Sequence, residues 1–200
     1  MRVLLEAVGR GSEIVAALRR VWDTRSAVAS AVLIGGERPG GRIFLNGPSG
    51  ASPDDPEGLC GPYPSLCEDL RTFAGSASNY ETVSYATPGG EAEFVFEMLD
   101  PPIRLAVLGA GADAVPLAAL AWGLGWQVDV YDHRPAFLNR ERFASVDRLT
   151  LSARDALPEI AADPLTAIVV MNHNYDRDKA MLPAAVRSDA FYVGAIGKKK

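Results

Sequence analysis

The sequence predicts an α/β protein with a C-terminal Rossmann-like, doubly wound parallel sheet and a smaller N-terminal α+β domain. Three observations support this fold class. Of the 200 residues, 48% are hydrophobic and 22% are charged, a composition typical of globular proteins. Apolar runs alternate with helical patterns after Pro101-Pro102, as βαβ units do. A glycine-rich turn follows the first of these runs. Gly, Pro and Ser are dense before the two prolines, so we expect domains at 1–100 and 101–200.

The N-terminal half has the pattern of two helices and four short strands. Ser12 is placed to cap a helix whose apolar face is Ile14, Val15, Leu18 and Trp22. A second helix is predicted at 64–73, after a loop rich in Pro and Gly at 46–58. The predicted strands are 27–34, 42–45, 80–85 and 93–99.

The C-terminal half has a clearer alternation of strands and helices. Strands are predicted at 103–108, 126–131, 148–151, 167–171 and 191–193. Helices are predicted at 112–124 and 176–186, with a helical turn at 155–161. The order β-α-β-β-(α)-β-α-β, with a glycine-rich first turn, predicts a doubly wound parallel sheet.

The glycine-rich turn fits the pattern G-x-G-x-x-A with Gly109, Gly111 and Ala114. The first glycine allows the sharp turn, the second lets the backbone approach a pyrophosphate, and the small alanine lets the helix pack closely. The N–H groups at the start of the helix would then face the anion. A purely structural turn is the alternative, and Asp113 favours it because a carboxylate repels phosphate.

An acidic residue stands at the end of the second predicted strand of this half. Asp132 lies 21 residues after Gly111, where an acid is expected to bind a ribose 2′-hydroxyl. Arg134 is placed to bind a 2′-phosphate or to lie in solvent. Because Asp132 disfavours a second negative charge, we expect an unphosphorylated ribose.

The two histidines and two cysteines are the other candidates for chemistry. His173 follows a buried strand and is a candidate proton donor, ligand or hydrogen-bond anchor, with a locally bonded loop histidine as the alternative; His133 has the pattern of a surface residue. Cys60 and Cys67 are separated by seven positions, which suits neither a zinc site nor C-x-x-C redox chemistry. Cys67 opens a predicted helix, whose N-terminus favours the thiolate, so we expect Cys67 to be the reactive cysteine and Cys60 to be incidental.

The overall composition excludes several classes of protein. A net charge of −5 disfavours nucleic-acid binding, and no apolar run is long enough for a membrane span. Two cysteines are too few for a disulfide-stapled secreted protein. We therefore expect a cytoplasmic protein without nucleic-acid or membrane partners.

The C-terminal half resembles the C-terminal domain of the XdhC/CoxI family. The resemblance rests on 166–199, which contains Val169-Val170-Met171-Asn172-His173 and ends in a Gly-x-x-Gly followed by lysines. The turn at 109–114, the joint at 124–126 and the Asp132-x-Arg134 pair fit the same pattern. The N-terminal half resembles the other domain of the family more loosely. This weaker resemblance rests on the turn at 36–41 and on the Cys67-Glu68 pair.

Three departures from the family pattern stand out. The usual glycine pair is missing before Cys67, and Ala112 stands where the family has a histidine. The chain also stops at Lys200, where family members continue with helical segments, so we expect either a short homologue or a truncated form.

The resemblance implies an accessory protein without turnover of its own, which binds the molybdenum cofactor and helps insert it into an apo molybdenum hydroxylase such as xanthine dehydrogenase. It implies that the Rossmann-side residues hold the cofactor and that Cys67 meets its metal. The alternative is an NAD-dependent oxidoreductase or another dinucleotide-binding protein, for which only His173 and Tyr175 offer catalytic groups. A methyltransferase-like fold is a third interpretation. Binding of NAD or another dinucleotide beside the molybdenum cofactor, a homodimer and the identity of the client enzyme are left open.

Overall fold

The computed structural model describes residues 5–36, 39–46, 53–153 and 158–197, and it divides into two compact units. The first unit is Met1–Pro101 and the second is Pro102–Lys200. The division falls between the two prolines at which the composition changes.

The first unit is an antiparallel four-stranded sheet with two helices. Its elements are α1 (Glu13–Thr24), β1 (Val28–Gly35), β2 (Arg42–Asn46), α2 (Leu66–Ala74), β3 (Tyr80–Thr87) and β4 (Gly90–Leu99). The strand order is β2-β1-β4-β3, and every neighbouring pair is antiparallel. This is the α+β domain that the sequence predicts.

The two helices of this unit pack on opposite faces of the sheet. Alternate β1 residues face α2, whose Leu66, Leu70 and Phe73 are buried against them. The other face carries Val28, which packs with α1. Because side chains alternate along a strand, one strand supplies both cores.

The predicted face of α1 is wrong in part. The structure buries Ala17 and Val21, whereas Leu18 is 49% and Trp22 38% exposed. The Ser12 side chain makes no capping hydrogen bond. The apolar arc of the helix, which runs from Ala17 through Ile14 to Val15, is wider than the stripe that the sheet covers, so periodicity alone could not select the buried residues.

The second unit is a parallel five-stranded sheet with helices on both faces. Its elements are β5 (Arg104–Leu108), α3 (Ala114–Gly123), β6 (Gln127–Asp132), β7 (Arg148–Leu151), β8 (Thr166–Val170), α4 (Tyr175–Val186) and β9 (Tyr192–Ala195). A single 3₁₀ turn at Pro135–Phe137 follows β6. The strand order is β7-β6-β5-β8-β9, and all pairs are parallel. The predicted doubly wound sheet is confirmed.

The central strands of this sheet are covered on both faces. All five residues of β8 are buried, as expected for a strand between two helical layers. Part of the predicted helical turn at 155–161 lies outside the described residues, and 158–161 are not helical. Among the described helices, none combines the length and the apolar character that a membrane crossing requires.

Candidate functional site

The strand order of the second unit reverses between β5 and β8, and the candidate site lies at this switch point. β5 leads through the glycine-rich turn into α3, and β8 leads through Asn172-His173-Asn174 into α4. Since the strands are parallel, both connections leave the same edge of the sheet. Ligands of open α/β sheets bind at this kind of crevice.

Gly109 is required by the geometry of the turn itself. Its φ is +118°, and a Cβ built on it would lie 2.6 Å from the carbonyl oxygen of Met171. Ala114 is fully buried at the start of α3, so a larger side chain would push the helix off the sheet. Both positions therefore have a packing reason for their small residue, whatever the turn binds.

Gly111 faces two side chains rather than backbone. A Cβ built on Gly111 would lie 2.8 Å from Asp113 Oδ1 and 3.6 Å from His173 Cδ2. Asp113 Oδ2 and His173 Nε2 are 2.5 Å apart, and both side chains are nearly half exposed. A carboxylate paired with an imidazole thus occupies the space beside the glycine that would face a pyrophosphate. His173 itself has a φ of +54°, a conformation uncommon outside glycine.

Asp132 is fully buried and its carboxylate holds the turn. Oδ2 accepts hydrogen bonds from the Ala110 N–H at 2.7 Å and from the Arg134 guanidinium at 2.8 Å. Oδ1 accepts from the Arg134 backbone N–H at 2.9 Å and from its Nε at 3.0 Å. Burial opposes the charged carboxylate, but the hydrogen bonds from Arg134 and Ala110 outweigh it and lower the pKa of Asp132.

This network changes the interpretation of the acid after the second strand. A carboxylate has about four lone-pair sites, and those of Asp132 already meet four N–H donors within the protein. The ribose contact of Asp132 stays a prediction, and the geometry favours a positioning role. The hydrogen bond to Asp132 raises the pKa of Arg134, and its guanidinium stacks 3.9 Å from the centre of the Phe137 ring.

Arg142 is a residue that the sequence did not single out. Its guanidinium donates to the carbonyl oxygens of Gly111 at 3.1 Å and Phe137 at 2.9 Å. It therefore ties the glycine-rich turn to the segment after β6. No local sequence pattern could predict this contact, because 31 residues separate Arg142 from Gly111.

His133 is not the simple surface residue that the sequence predicts. Its Nδ1 lies 2.6 Å from Nη1 of Arg177, a residue only 5% exposed. A guanidinium can only donate, so Nδ1 must accept. The start of α4 is fixed next to it, where Asn174 Oδ1 accepts from the Arg177 backbone N–H at 3.1 Å.

Cys67 lies in the first unit, in the first turn of α2, and it forms a disulfide with Cys60. The two Cα atoms are 6.0 Å apart. In the state that the structure describes, Cys67 is therefore not a free thiolate, and the expectation that Cys60 is incidental is wrong, because Cys60 is the partner of that bond. The sequence could not reveal the pair because the loop between the cysteines has to fold back onto the helix start. The role of Cys67 toward a cofactor stays a prediction.

No cluster of three or more His, Cys, Asp and Glu side chains suited to a metal ion occurs within the described ranges. Sequence reasoning thus placed Gly109, Gly111, Asp132, Arg134 and His173 at one edge of one sheet, and the structure brings them together there. Cys67 belongs to the other unit.

The second unit is therefore a Rossmann-type α/β domain with a glycine-rich turn at its switch point. More specifically, residues 105–200 match the model of the XdhC Rossmann domain. A relative from Bacillus subtilis (strain 168), named as a probable subunit of xanthine dehydrogenase, is 35% identical over 102 residues, which are 50% of this chain. The match covers 31% of that relative's length, so the chain spans about a third of it.

A solved structure extends the similarity in fold to both units. A crystal structure from Bacillus halodurans, described as a xanthine dehydrogenase, aligns with a TM-score of 0.52 over 92% of this chain and 82% of its own. The sequence identity is 14%, so this match bears on the fold alone.

Proposed function

We propose that this protein is an accessory factor of a xanthine dehydrogenase-type molybdenum hydroxylase. In this role it binds the molybdenum cofactor in the cytoplasm and assists its insertion into the apo-enzyme. The observation that carries the proposal is an XdhC Rossmann domain whose glycine-rich turn stands at the switch point of the sheet. The relative from Bacillus subtilis, named for a xanthine dehydrogenase, supports the choice of client class.

The residues of the turn fit the anionic part of such a cofactor. The molybdenum cofactor carries a phosphate or a dinucleotide tail, and the N–H groups of the first turn of α3 have no partner within the helix. Asp132 already engages the Ala110 N–H, so the donors left for an anion begin at Gly111. Asp113 has to rotate away from Gly111 before a phosphate can approach, because its carboxylate lies beside that glycine.

When bound, the cofactor supplies a molybdenum centre with dithiolene sulfur, which is passed on to the client. The part of this chain is to hold, shield and release it. Cys67 offers a soft sulfur for this purpose only after the bond to Cys60 is broken, because a disulfide sulfur is not a thiolate ligand.

Binding of the cofactor is tested directly on the purified protein. Mass spectrometry and metal analysis should find pterin and molybdenum in protein co-produced with the cofactor pathway, and the loaded protein should activate an apo molybdenum hydroxylase. A Gly111→Val variant should stay folded but lose the ligand, because its side chain fills the approach to the turn. Gly123→Val is the matched control, since a Cβ at Gly123 meets nothing within 4 Å. If Gly111→Val keeps its affinity within about twofold, the turn is only structural.

A dinucleotide such as NAD is the second candidate ligand, favoured by the G-x-G-x-x-A turn and the acid at the end of β6. Against dehydrogenase activity stands the lack of a catalytic set beyond His173 and Tyr175. We expect NAD titration to show at most binding, and no hydride transfer with small alcohols or hydroxy acids. Robust NAD reduction would favour the enzyme over the accessory factor.

A further inference from the structure

We infer that Cys60 and Cys67 form a reversible redox pair, a modification site that exchanges with small dithiols and disulfides. The consequence for cofactor binding, that oxidation withdraws the Cys67 sulfur, rests on the proposed function. The observation is the disulfide itself, which joins the loop after Asp55 to the first turn of α2.

The position of the pair favours reduction. Both cysteines are half-buried, so a small reductant reaches them. Cys67 stands near the N-terminus of α2, where the helix dipole stabilises a thiolate and so makes it a better leaving group in thiol–disulfide exchange. The disulfide closes a short loop, and short loops give up little chain entropy when they are closed. In the cytoplasm, where the proposed function places the protein, disulfides are mostly transient or redox-sensing.

The loop is held by contacts that do not depend on the disulfide. The two carboxylate oxygens of Asp55 accept the N–H groups of Leu59 at 2.7 Å and Cys60 at 2.8 Å. The Leu66 N–H donates to the Tyr63 carbonyl at 3.0 Å. The Tyr63 ring packs edge-on against Phe94 with ring centres 5.0 Å apart. Reduced thiols therefore stay close to each other, and the disulfide re-forms within one molecule.

The same loop forms part of a cavity in the first unit. Pro62 and Tyr63, which lie between the two cysteines, line a space of about 520 Å³ together with Gly36 and Ala92. Formation of the disulfide restrains the loop that carries Pro62 and Tyr63, and reduction releases that restraint on the lining of the cavity. The redox state thus bears on two features at once, namely the free sulfur of Cys67 and the shape of a cavity bordered by its loop.

The exchange balances without any group beyond the named reagents. In reduction, a dithiol gives two electrons and two protons to the Cys60 and Cys67 sulfurs, their S–S bond breaks, and the dithiol leaves as its own disulfide. In oxidation, glutathione disulfide accepts the two electrons and leaves as two glutathione thiols.

The first arm of the test counts thiols in the folded full-length chain. After dithiothreitol, alkylation followed by mass spectrometry should find both cysteines labelled, and after glutathione disulfide it should find neither. Cys60→Ser and Cys67→Ser should instead take up one glutathione each under oxidation. Two freely alkylated cysteines after oxidation of the parent overturn the redox pair, as does a disulfide that dithiothreitol leaves intact in the native protein.

The second arm measures binding of the isolated molybdenum cofactor to the same samples. The reduced parent should bind at least about tenfold more tightly than the oxidised parent. Cys60→Ser, kept reduced, should bind like the reduced parent, and Cys67→Ser should bind weakly with or without oxidant. Equal affinity of the reduced and oxidised parent overturns the control of binding. Absence of binding in the reduced parent overturns the proposed function instead, and the thiol count then still decides whether the redox pair exists.

Discussion

The two units of this chain place their candidate chemistry by different means. In the second unit, the parallel sheet brings the ends of β5, β6 and β8 to one edge, so residues far apart in sequence meet without a dedicated loop. In the first unit the sheet is antiparallel, and strand ends point in both directions. Its cysteine pair instead depends on a loop held by the Asp55 carboxylate and by the Tyr63–Phe94 ring contact, and on the disulfide itself. Single substitutions should therefore disrupt a site positioned by strand ends less easily than a site positioned by a loop.

Removing the carboxylate that braces the turn is expected to have the largest effect. Asp132→Ala leaves the Ala110 N–H and the partly exposed Arg134 guanidinium without their acceptor. An unsatisfied buried donor together with a lost hydrogen bond between charged groups costs about 3–4 kcal/mol. Denaturant unfolding at pH 7 measures this loss. Glu141→Ala is the control, since Glu141 is exposed in the same unit and should change the free energy of unfolding by less than about 0.5 kcal/mol.

The same aspartate predicts a dependence of stability on pH. Because the pKa of Asp132 is lowered in the folded protein, its contribution is fully present above the unfolded-state value of about 3.9 and is lost as the pH falls below it. The difference in unfolding free energy between the parent and Asp132→Ala should therefore shrink in acid. A difference that stays constant from neutral to strongly acidic pH would contradict the assigned charge state.

Gly109→Ala tests whether the turn is fixed by close packing. The alanine would combine an unfavourable positive φ with a contact of 2.6 Å to the Met171 carbonyl oxygen, and we expect a loss of about 2–3 kcal/mol. Gly125→Ala is the matched control, since its φ is +79° but a Cβ there meets nothing within 4 Å. It should lose only about 1 kcal/mol, and equal losses in both variants would show that the contact with Met171 is unimportant.

The Cys60–Cys67 disulfide of the first unit should contribute less to stability than the hydrogen bonds of Asp132 in the second unit. Reducing the Cys60–Cys67 disulfide releases only a short loop, so we expect a loss of about 2 kcal/mol or less in the free energy of unfolding. Parallel denaturant curves with and without dithiothreitol measure it. Cys60→Ser should show no response to the reductant, and complete unfolding of the reduced parent would mean that the disulfide is structural rather than switchable.

The smallest expected effect concerns Asp113, the carboxylate beside Gly111. Asp113→Asn removes a negative charge from the N-terminus of α3 and should strengthen binding of inorganic pyrophosphate about two- to fivefold. Isothermal titration calorimetry at low salt measures the change. Asp189→Asn carries the same charge change in the connection that precedes β9, at the opposite edge of the sheet, and should leave the affinity as it is. If both variants gain equally, only the net charge matters.

The sequence predicted most of the second unit because its signals are local. Uninterrupted apolar runs such as 167–171, which forms most of β8, indicate strands buried on both faces. Gly109 and Ala114 mark a turn that only small residues can make. In the first unit the strands were equally predictable, but the orientation of α1 was not, because Leu18 and Trp22 are as apolar as the residues that the sheet covers.

By itself, the sequence determined the two-unit organisation, the parallel sheet and the edge of that sheet at which Gly111, Asp132 and His173 lie. These features follow from hydrophobic periodicity and turn residues, which are signals contained within a few neighbouring positions. Only the tertiary structure decided what those groups touch. It turned Asp132 inward onto the Ala110 N–H, paired His173 with Asp113, and joined Cys67 to Cys60. Each of these contacts depends on atoms placed within a few ångströms by the packing of separate elements, and a one-dimensional pattern carries no such distances.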